Sequence, residues 1–195
     1  MSNKMEEHPI IFSTEMVRAI LEGKKTQTRR VIKPQPLGSG EMQLSNDRLW
    51  RLGIGGRYNL PRIDFSQKPW CCPYGQVGDR LWVRETFWVT GSPDSAIVVY
   101  KATYSHPKNI SKWRSPIFMS RWASRILLEI ADIRIEKLQD ISYESTKAEG
   151  CVSISDYAIL WNSINAKRGY DWLSNPWVWV IEFKLLKGGK NEWKE

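Results

Sequence analysis

An alternating run near the C-terminal end, PWVWVIEFKLL, is the feature that most constrains the fold. Successive side chains of a strand point to opposite faces, so this run predicts a strand with one apolar face. That face carries Trp177, Trp179, Ile181, Phe183 and Leu185. A second long apolar run, RILLEIADIRIEKL, lies upstream and also predicts a strand.

Two shorter strands and few, short helices complete the predicted pattern. The stretch RLWVRETFW alternates, with Leu81, Val83 and Phe87 on one face, and AIVVYKA is a short apolar run. The segment KKTQTRRVIK is expected to be extended up to Pro34 and Pro36. Strands with few helices predict an α+β fold built on a small, mostly antiparallel barrel or sheet.

Three helices are recognised by their end signals. Ser13 or Thr14 caps STEMVRAILEG, and Gly23 can end it in the left-handed conformation. A second helix is predicted from Tyr143 to Glu149, with Ser142 as its cap and Gly150 as its stop. A third carries Tyr157, Leu160, Trp161 and Ile164 at helical spacing, with Ser153 or Ser155 as its cap.

The segment from Leu37 to Gly78 is rich in Gly, Pro, Asn and Ser, and no helical or strand period lasts in it. A chain of 195 residues allows one substantial domain, so we predict a single domain over 1–195 with an insertion at 37–78. Its aromatic residues Trp50, Tyr58 and Trp70 are expected to contact substrate or to pack as a lid beside a cleft.

Positive charge is in excess and unevenly placed. Lys and Arg number 29 against 21 Asp and Glu, and the stretch 101–125 contains no acidic residue. Such charge favours phosphate-bearing partners, although a solvated basic surface is the alternative. Candidate nucleic-acid contacts are Lys24, Arg29, Arg30, Lys112, Arg114 and Arg121.

The cysteine content and the hydropathy of the chain predict no disulfide framework, no metal site and no membrane helix. Cys71, Cys72 and Cys151 are too few for a disulfide framework or a zinc site, so neither a metal nor another cofactor is expected. No run of about 18 apolar residues predicts a membrane helix, and the N-terminal stretch does not read as a secretory signal. A cytoplasmic location without a membrane partner is expected. The oligomeric state is not indicated.

Three stretches together resemble the ASCH domain, a family of the PUA-like superfamily. They are EGKKTQTRR, VGDRLWVRETF and LEIADIRIEKLQDISYESTKAEG, and the closing NPWVWVIEFK resembles the final strand of phage-associated members. The resemblance covers most of the chain outside the insertion. It implies a PUA-like β-barrel with a cleft beside the first helix.

The resemblance also implies what such a cleft does. RNA binding is the role most often proposed for the family, and ribonuclease activity is a further role. Some small members are amidohydrolases that deacetylate N(4)-acetylcytidine. In those, a lysine is the proton acceptor, a threonine three residues on is the nucleophile, and a later glutamate is the proton donor. The matching positions here are Lys25, Thr28 and Glu149, which are therefore expected to converge on one cleft.

This mechanism requires particular surroundings for Lys25 and Thr28. A threonine hydroxyl needs a base, and a lysine serves as one only if desolvation or neighbouring positive charge lowers its pKa. Lys25 and Thr28 would point to opposite faces of a regular strand, so a bend just after Gly23 is required. The alternatives are a solvated lysine, a strand hydroxyl and an exposed helix end. Two hypotheses stay open: a hydrolase of an acylated nucleoside, and a non-catalytic module that binds RNA or single-stranded nucleic acid.

Other conspicuous residues are assigned by their surroundings. Trp177 and Trp179 are expected in the core, whereas Trp50, Trp70 and Trp113 are candidates for stacking on bases. Glu85 falls on the apolar face of its strand. It is therefore expected to be buried and paired with an arginine of another element rather than catalytic.

Overall fold

The computed structural model describes residues 5–37, 41–44, 49–54, 62–63, 68–91, 96–106, 110 and 112–188. Within them lie three α-helices, which are α1 (Thr14–Leu21), α2 (Tyr143–Ala148) and α3 (Ile154–Asn165). The strands are β1 (Glu7–Ile11), β2 (Gln27–Val31), β3 (Glu41–Leu44), β4 (Trp50–Ile54), β5 (Arg62–Ile63), β6 (Arg80–Arg84), β7 (Phe87–Thr90), β8 (Ile97–Tyr100), β9 (Ile126–Lys137) and β10 (Trp177–Gly188).

A five-stranded sheet in the order β1-β6-β9-β10-β2 organises the fold. The pairing of β1 with β6 is parallel, and the other three pairings are antiparallel. The predicted α+β class is confirmed. Across the described residues β1 and β2 pair with no strand on their outer sides, so the sheet is open and closure into a PUA-like barrel is not seen.

Each face of this sheet is covered by a different helix. Val17 and Ile20 of α1 pack with Leu81, Leu128 and Ile181 on one face, in the larger apolar core. On the other face Val178 and Val180 pack against Tyr157 and Trp161 of α3. The alternation of β10 therefore divides its side chains between two cores, because neighbouring residues of a strand point to opposite faces.

The predicted helix ends are confirmed. The hydroxyls of Ser13, Ser142 and Ser153 each accept a hydrogen bond from a backbone N–H three residues on. Gly23 and Gly150 adopt positive φ angles of 71° and 85° just after α1 and α2. Only glycine enters that region without steric cost, so both helices end where the sequence predicts.

Two strands differ from their predictions. RLWVRETFW forms two strands, since β6 ends at Arg84 and β7 begins at Phe87. Glu85 lies at the break, buried and bound by both forks of the Arg125 guanidinium at 2.9 and 3.1 Å, which confirms the predicted ion pair. In β10 the register shifts after Glu182 and again after Leu185, and Leu185 is exposed rather than buried.

The insertion contains a three-stranded sheet, β3-β4-β5, where the sequence predicted no strands. The backbones of Trp50 and Trp70 exchange two hydrogen bonds of 2.9 Å, and the Trp50 ring meets Trp179 edge-on at 6.2 Å. The Trp70 indole N–H donates to the Pro34 carbonyl oxygen at 2.9 Å. These tryptophans attach the insertion to the core. Tyr58 lies outside the described residues.

The described part of the chain contains no helix that is both long enough and apolar enough to span a bilayer.

Because Trp70 is 7% exposed and joins the insertion to the core, we expect Trp70→Ala to lower the free energy of unfolding by about 3 kcal/mol or more. Trp122→Ala is the matched control. That ring is 64% exposed, so its loss should change stability by no more than about 0.5 kcal/mol. Urea denaturation followed by circular dichroism measures both. Equal losses in the two variants would show that Trp70 does not anchor the insertion.

Candidate functional site

The end of α1 aims Lys25 into the protein. After Gly23 the amides of Lys24 and Lys25 both donate to the Ala19 carbonyl oxygen, at 2.8 and 3.0 Å. The chain thereby turns sharply before β2 begins at Gln27, which is the bend that the sequence argument required. The Lys25 side chain is completely buried.

The end of α2 brings Glu149 to the same place. The last carbonyls of a helix lack partners within it, and here the residues just before β2 supply them. Thr26 donates its amide to the Ala148 carbonyl oxygen at 2.9 Å, and Lys25 Nζ donates to the Glu149 carbonyl oxygen at 2.9 Å. Gly150 follows with a φ angle of 85°, a backbone conformation that other residues rarely adopt, and it packs beside the Lys25 side chain.

A buried ion pair results. Lys25 Nζ lies 2.7 Å from Glu149 Oε2, and Arg29 Nη1 donates to Glu149 Oε1 at 3.3 Å. The three side chains are between 0% and 3% exposed. Burial lowers the pKa of Lys25 below the ordinary value of a lysine, and the Glu149 carboxylate opposes that shift.

Beside this pair lies a cavity of about 600 Å³ at the free edge of β2. Thr28 and Glu149 line it together, and Thr28 is buried. Lys25 is not part of the lining and reaches the site through Glu149. Six aromatic side chains contribute to the lining and form what we call the aromatic wall: Trp70, Tyr74, Tyr157, Trp161, Tyr170 and Trp179. A planar, partly polar ligand fits such a wall.

Arg29 and Arg30 of the motif both line the cavity, but their guanidinium groups have different partners. Arg29 is held by two carboxylates, since its Nη2 also donates to Glu136 Oε2 at 3.0 Å. Arg30 packs over the Phe12 ring at 5.1 Å and donates through Nη2 to the Ile11 carbonyl oxygen at 2.6 Å. Its Nε is buried without a hydrogen-bond partner.

The remaining basic candidates lie away from the cavity lining. Lys24 is exposed and pairs with Glu22 at 2.7 Å. Arg121 pairs with Glu7 at 2.7 Å, whereas Lys112 and Arg114 are exposed. Trp113 meets Tyr104 edge-on at 6.3 Å. The structure therefore separates the basic stretch from the Lys25 site.

Sequence reasoning missed several residues of the site. Tyr157 and Trp161 were predicted only as an apolar helix stripe, but they line the cavity as well as the core. For Glu136 the sequence shows only a polar residue in a predicted strand, which does not indicate a role in the site. Burial raises the pKa of the Cys151 thiol, and the neighbouring Lys25 charge opposes that shift.

No group of three or more metal-binding side chains occurs among the residues described above.

Comparison with known proteins adds little. Neither protein-family models nor curated proteins give a match. Among solved structures, a crystal structure of a protein from Enterococcus faecalis, described by the family name DUF984, covers 100% of this chain and 89% of its own. Its sequence identity is 7% and its TM-score 0.46, a likeness that carries no argument about function. The ASCH resemblance stays a prediction.

Removing one partner of a buried ion pair is strongly destabilising, because the remaining buried charge loses compensation. We therefore expect Lys25→Met and Glu149→Gln each to lower the free energy of unfolding by about 3 kcal/mol. Because the two side chains are in contact, the double variant should lose at least about 1 kcal/mol less than the sum of the two. Urea denaturation of the four proteins measures this coupling, and additive losses would refute it.

Proposed function

We propose that this protein is a hydrolase of the ASCH type that cleaves the exocyclic amide of an acylated nucleoside. Lys25 acts as the base, Thr28 as the nucleophile and Glu149 as the acid. The observation that carries the proposal is the 2.7 Å contact between two fully buried groups, Lys25 Nζ and Glu149 Oε2, beside a cavity that Thr28 lines. A PUA-like relationship of the fold is part of the same proposal.

The proposed first half-reaction begins with the proton of the pair on Glu149, so that Lys25 is neutral and can act as a base. Burial lowers the pKa of Lys25, which assists the loss of its proton. The Thr28 hydroxyl oxygen attacks the amide carbonyl carbon, and its proton passes to Lys25 Nζ. The carbon–nitrogen bond then breaks, and Glu149 protonates the departing amine. The enzyme is left as an acyl-threonine ester with a Lys25 ammonium and a Glu149 carboxylate, the charge state in which the two form an ion pair.

Water completes the reaction with the roles reversed. Glu149 accepts a proton from water as the water oxygen attacks the ester carbonyl carbon. The ester bond to Thr28 breaks, and the Lys25 ammonium returns a proton to the threonine oxygen. A carboxylic acid leaves, and both Lys25 and Glu149 regain their starting protonation. The four proton transfers use only Thr28, Lys25, Glu149 and one water molecule, so the proposed cycle needs no further titratable group.

The aromatic wall supports a nucleobase as the leaving group. Stacking on aromatic rings holds bases of any sequence, and the cavity offers rings from the insertion, from α3 and from β10. Asn165, which is buried and lines the cavity, adds an amide at the same wall.

Thr28→Val removes the nucleophile but keeps the shape of the side chain. We expect it to reduce hydrolysis of N(4)-acetylcytidine by at least about a thousandfold, because a reaction split into two steps loses both without its nucleophile. Thr28→Ser, which keeps the hydroxyl, should retain measurable turnover. Release of cytidine followed by chromatography measures both variants. Equal turnover in wild type and Thr28→Val would exclude Thr28 as the nucleophile.

A second candidate function is binding of single-stranded nucleic acid at a surface away from the cavity. One observation favours it: the segment 112–122 contains both exposed aromatic rings and basic side chains. Phe118 and Trp122 are 73% and 64% exposed, and Lys112, Arg114 and Arg121 lie in the same segment. Exposed rings offer stacking faces, and the cations attract the phosphates.

If this segment binds a single strand, Trp122→Ala should weaken binding of a short oligonucleotide at low salt by about 1–3 kcal/mol, the usual contribution of one stacked base. Tyr143→Ala, which removes an exposed ring of α2, is the control and should leave binding unchanged. Fluorescence anisotropy measures both. Loss of binding in the control alone, or in neither variant, would contradict this function.

A further inference from the structure

The cavity lining carries a large excess of positive charge. Five cationic side chains lie in it: Arg29, Arg30, Lys33, Lys68 and Arg168. Glu149 is the one acidic residue among the described lining residues, and it already binds both Lys25 and Arg29. Arg29 is further neutralised by Glu136. Within the described part of the chain, the other four cations form no ion pair with a carboxylate, so an anionic ligand would be attracted.

Three of these cations, Lys33, Lys68 and Arg168, are exposed, and we call them the basic rim. No ion pair joins them to a carboxylate within the described ranges. Lys33 Nζ lies 5.4 Å from the centre of the Tyr170 ring, so a cation of the rim adjoins the aromatic wall. A ligand with a flat ring and an anionic group would contact both surfaces at once.

Arg30, the fourth cation without an ion pair to a described carboxylate, is half-buried, whereas the rim residues are exposed. Its guanidinium makes one hydrogen bond, to the Ile11 carbonyl oxygen, while its buried Nε has no partner. A buried polar group without a partner is destabilising, and a ligand that accepts its hydrogen bond removes this cost. Guanidinium groups bind phosphate oxygens in a forked geometry. An acceptor on the ligand is thus expected near this nitrogen.

We propose that the cavity binds a phosphate-bearing nucleotide rather than a neutral nucleoside, with the base against the aromatic wall and the phosphate at the basic rim. This substrate class rests on the proposed function and refines it. The phosphate belongs either to a free nucleotide or to the end of a nucleic-acid strand, since both present the same group. Arg29 and Arg30 are both among the predicted nucleic-acid contacts, but two carboxylates already engage Arg29 in the structure.

Calorimetric binding of cytidine and of cytidine 5′-monophosphate at low salt tests this proposal. We expect the monophosphate to bind at least about tenfold more tightly, the effect of one charge-assisted contact. The double variant Lys33→Gln/Arg168→Gln should bind both ligands with nearly the affinity of wild type for cytidine. The matched control Lys184→Gln/Lys187→Gln removes two exposed charges outside the cavity lining and should keep the tenfold preference.

Equal affinity of wild type for the two ligands, or a preference that survives in the rim variant, would overturn the proposal. Absence of monophosphate binding would overturn it as well. Competition by a short 5′-phosphorylated oligocytidine identifies the source of the phosphate. If the oligonucleotide displaces the monophosphate, a strand end enters the cavity, and otherwise the ligand is a free nucleotide.

Turnover of N(4)-acetylcytidine separates this inference from the proposed function. Turnover without a phosphate preference would contradict the inference alone. A phosphate preference without turnover of either the nucleoside or its monophosphate would contradict the hydrolase alone.

Discussion

A lysine and a glutamate whose charged atoms lie 2.7 Å apart in the interior hold the ends of three elements together. Lys25 follows α1 and precedes β2, and Glu149 ends α2. Burying two charges is costly unless they pair and their remaining hydrogen bonds are satisfied. Lys25 Nζ meets that condition by donating to both the carboxylate and the carbonyl oxygen of Glu149. The contact holds the residues just before β2 against the end of α2, beside the cavity.

The pair is one end of a longer chain of charges along one face of the sheet. Arg29 joins Glu149 to Glu136, and Arg134 continues from Glu136 to Glu182. These links tie the edge strand β2 to β9 and β10 through side chains as well as through the backbone. An edge strand held this firmly can present Thr28 and Arg30 to a ligand in fixed positions, which a catalytic or binding site requires.

The sequence predicts those parts of the molecule that depend on local pattern. The apolar alternation of β10, the serine caps and the turns at Gly23 and Gly150 are of this kind. The strands of the insertion escaped prediction because glycine and proline interrupt every period there. Contacts distant in sequence are beyond such reasoning: nothing in the pattern of Arg29 shows that Glu136 and Glu149 will engage it, or that α3 will supply aromatic rings to the cavity.

The protonation of Lys25 is the central claim, since a buried ammonium cannot act as a base until it loses its proton. Nuclear magnetic resonance of side-chain ¹⁵N-labelled lysine, with Lys25→Met identifying the resonance, measures its titration directly. The account predicts a Lys25 pKa below the ordinary value of a lysine, lowered further in Glu149→Gln because the opposing carboxylate is gone. A Lys25 pKa at or above the ordinary value would contradict the account.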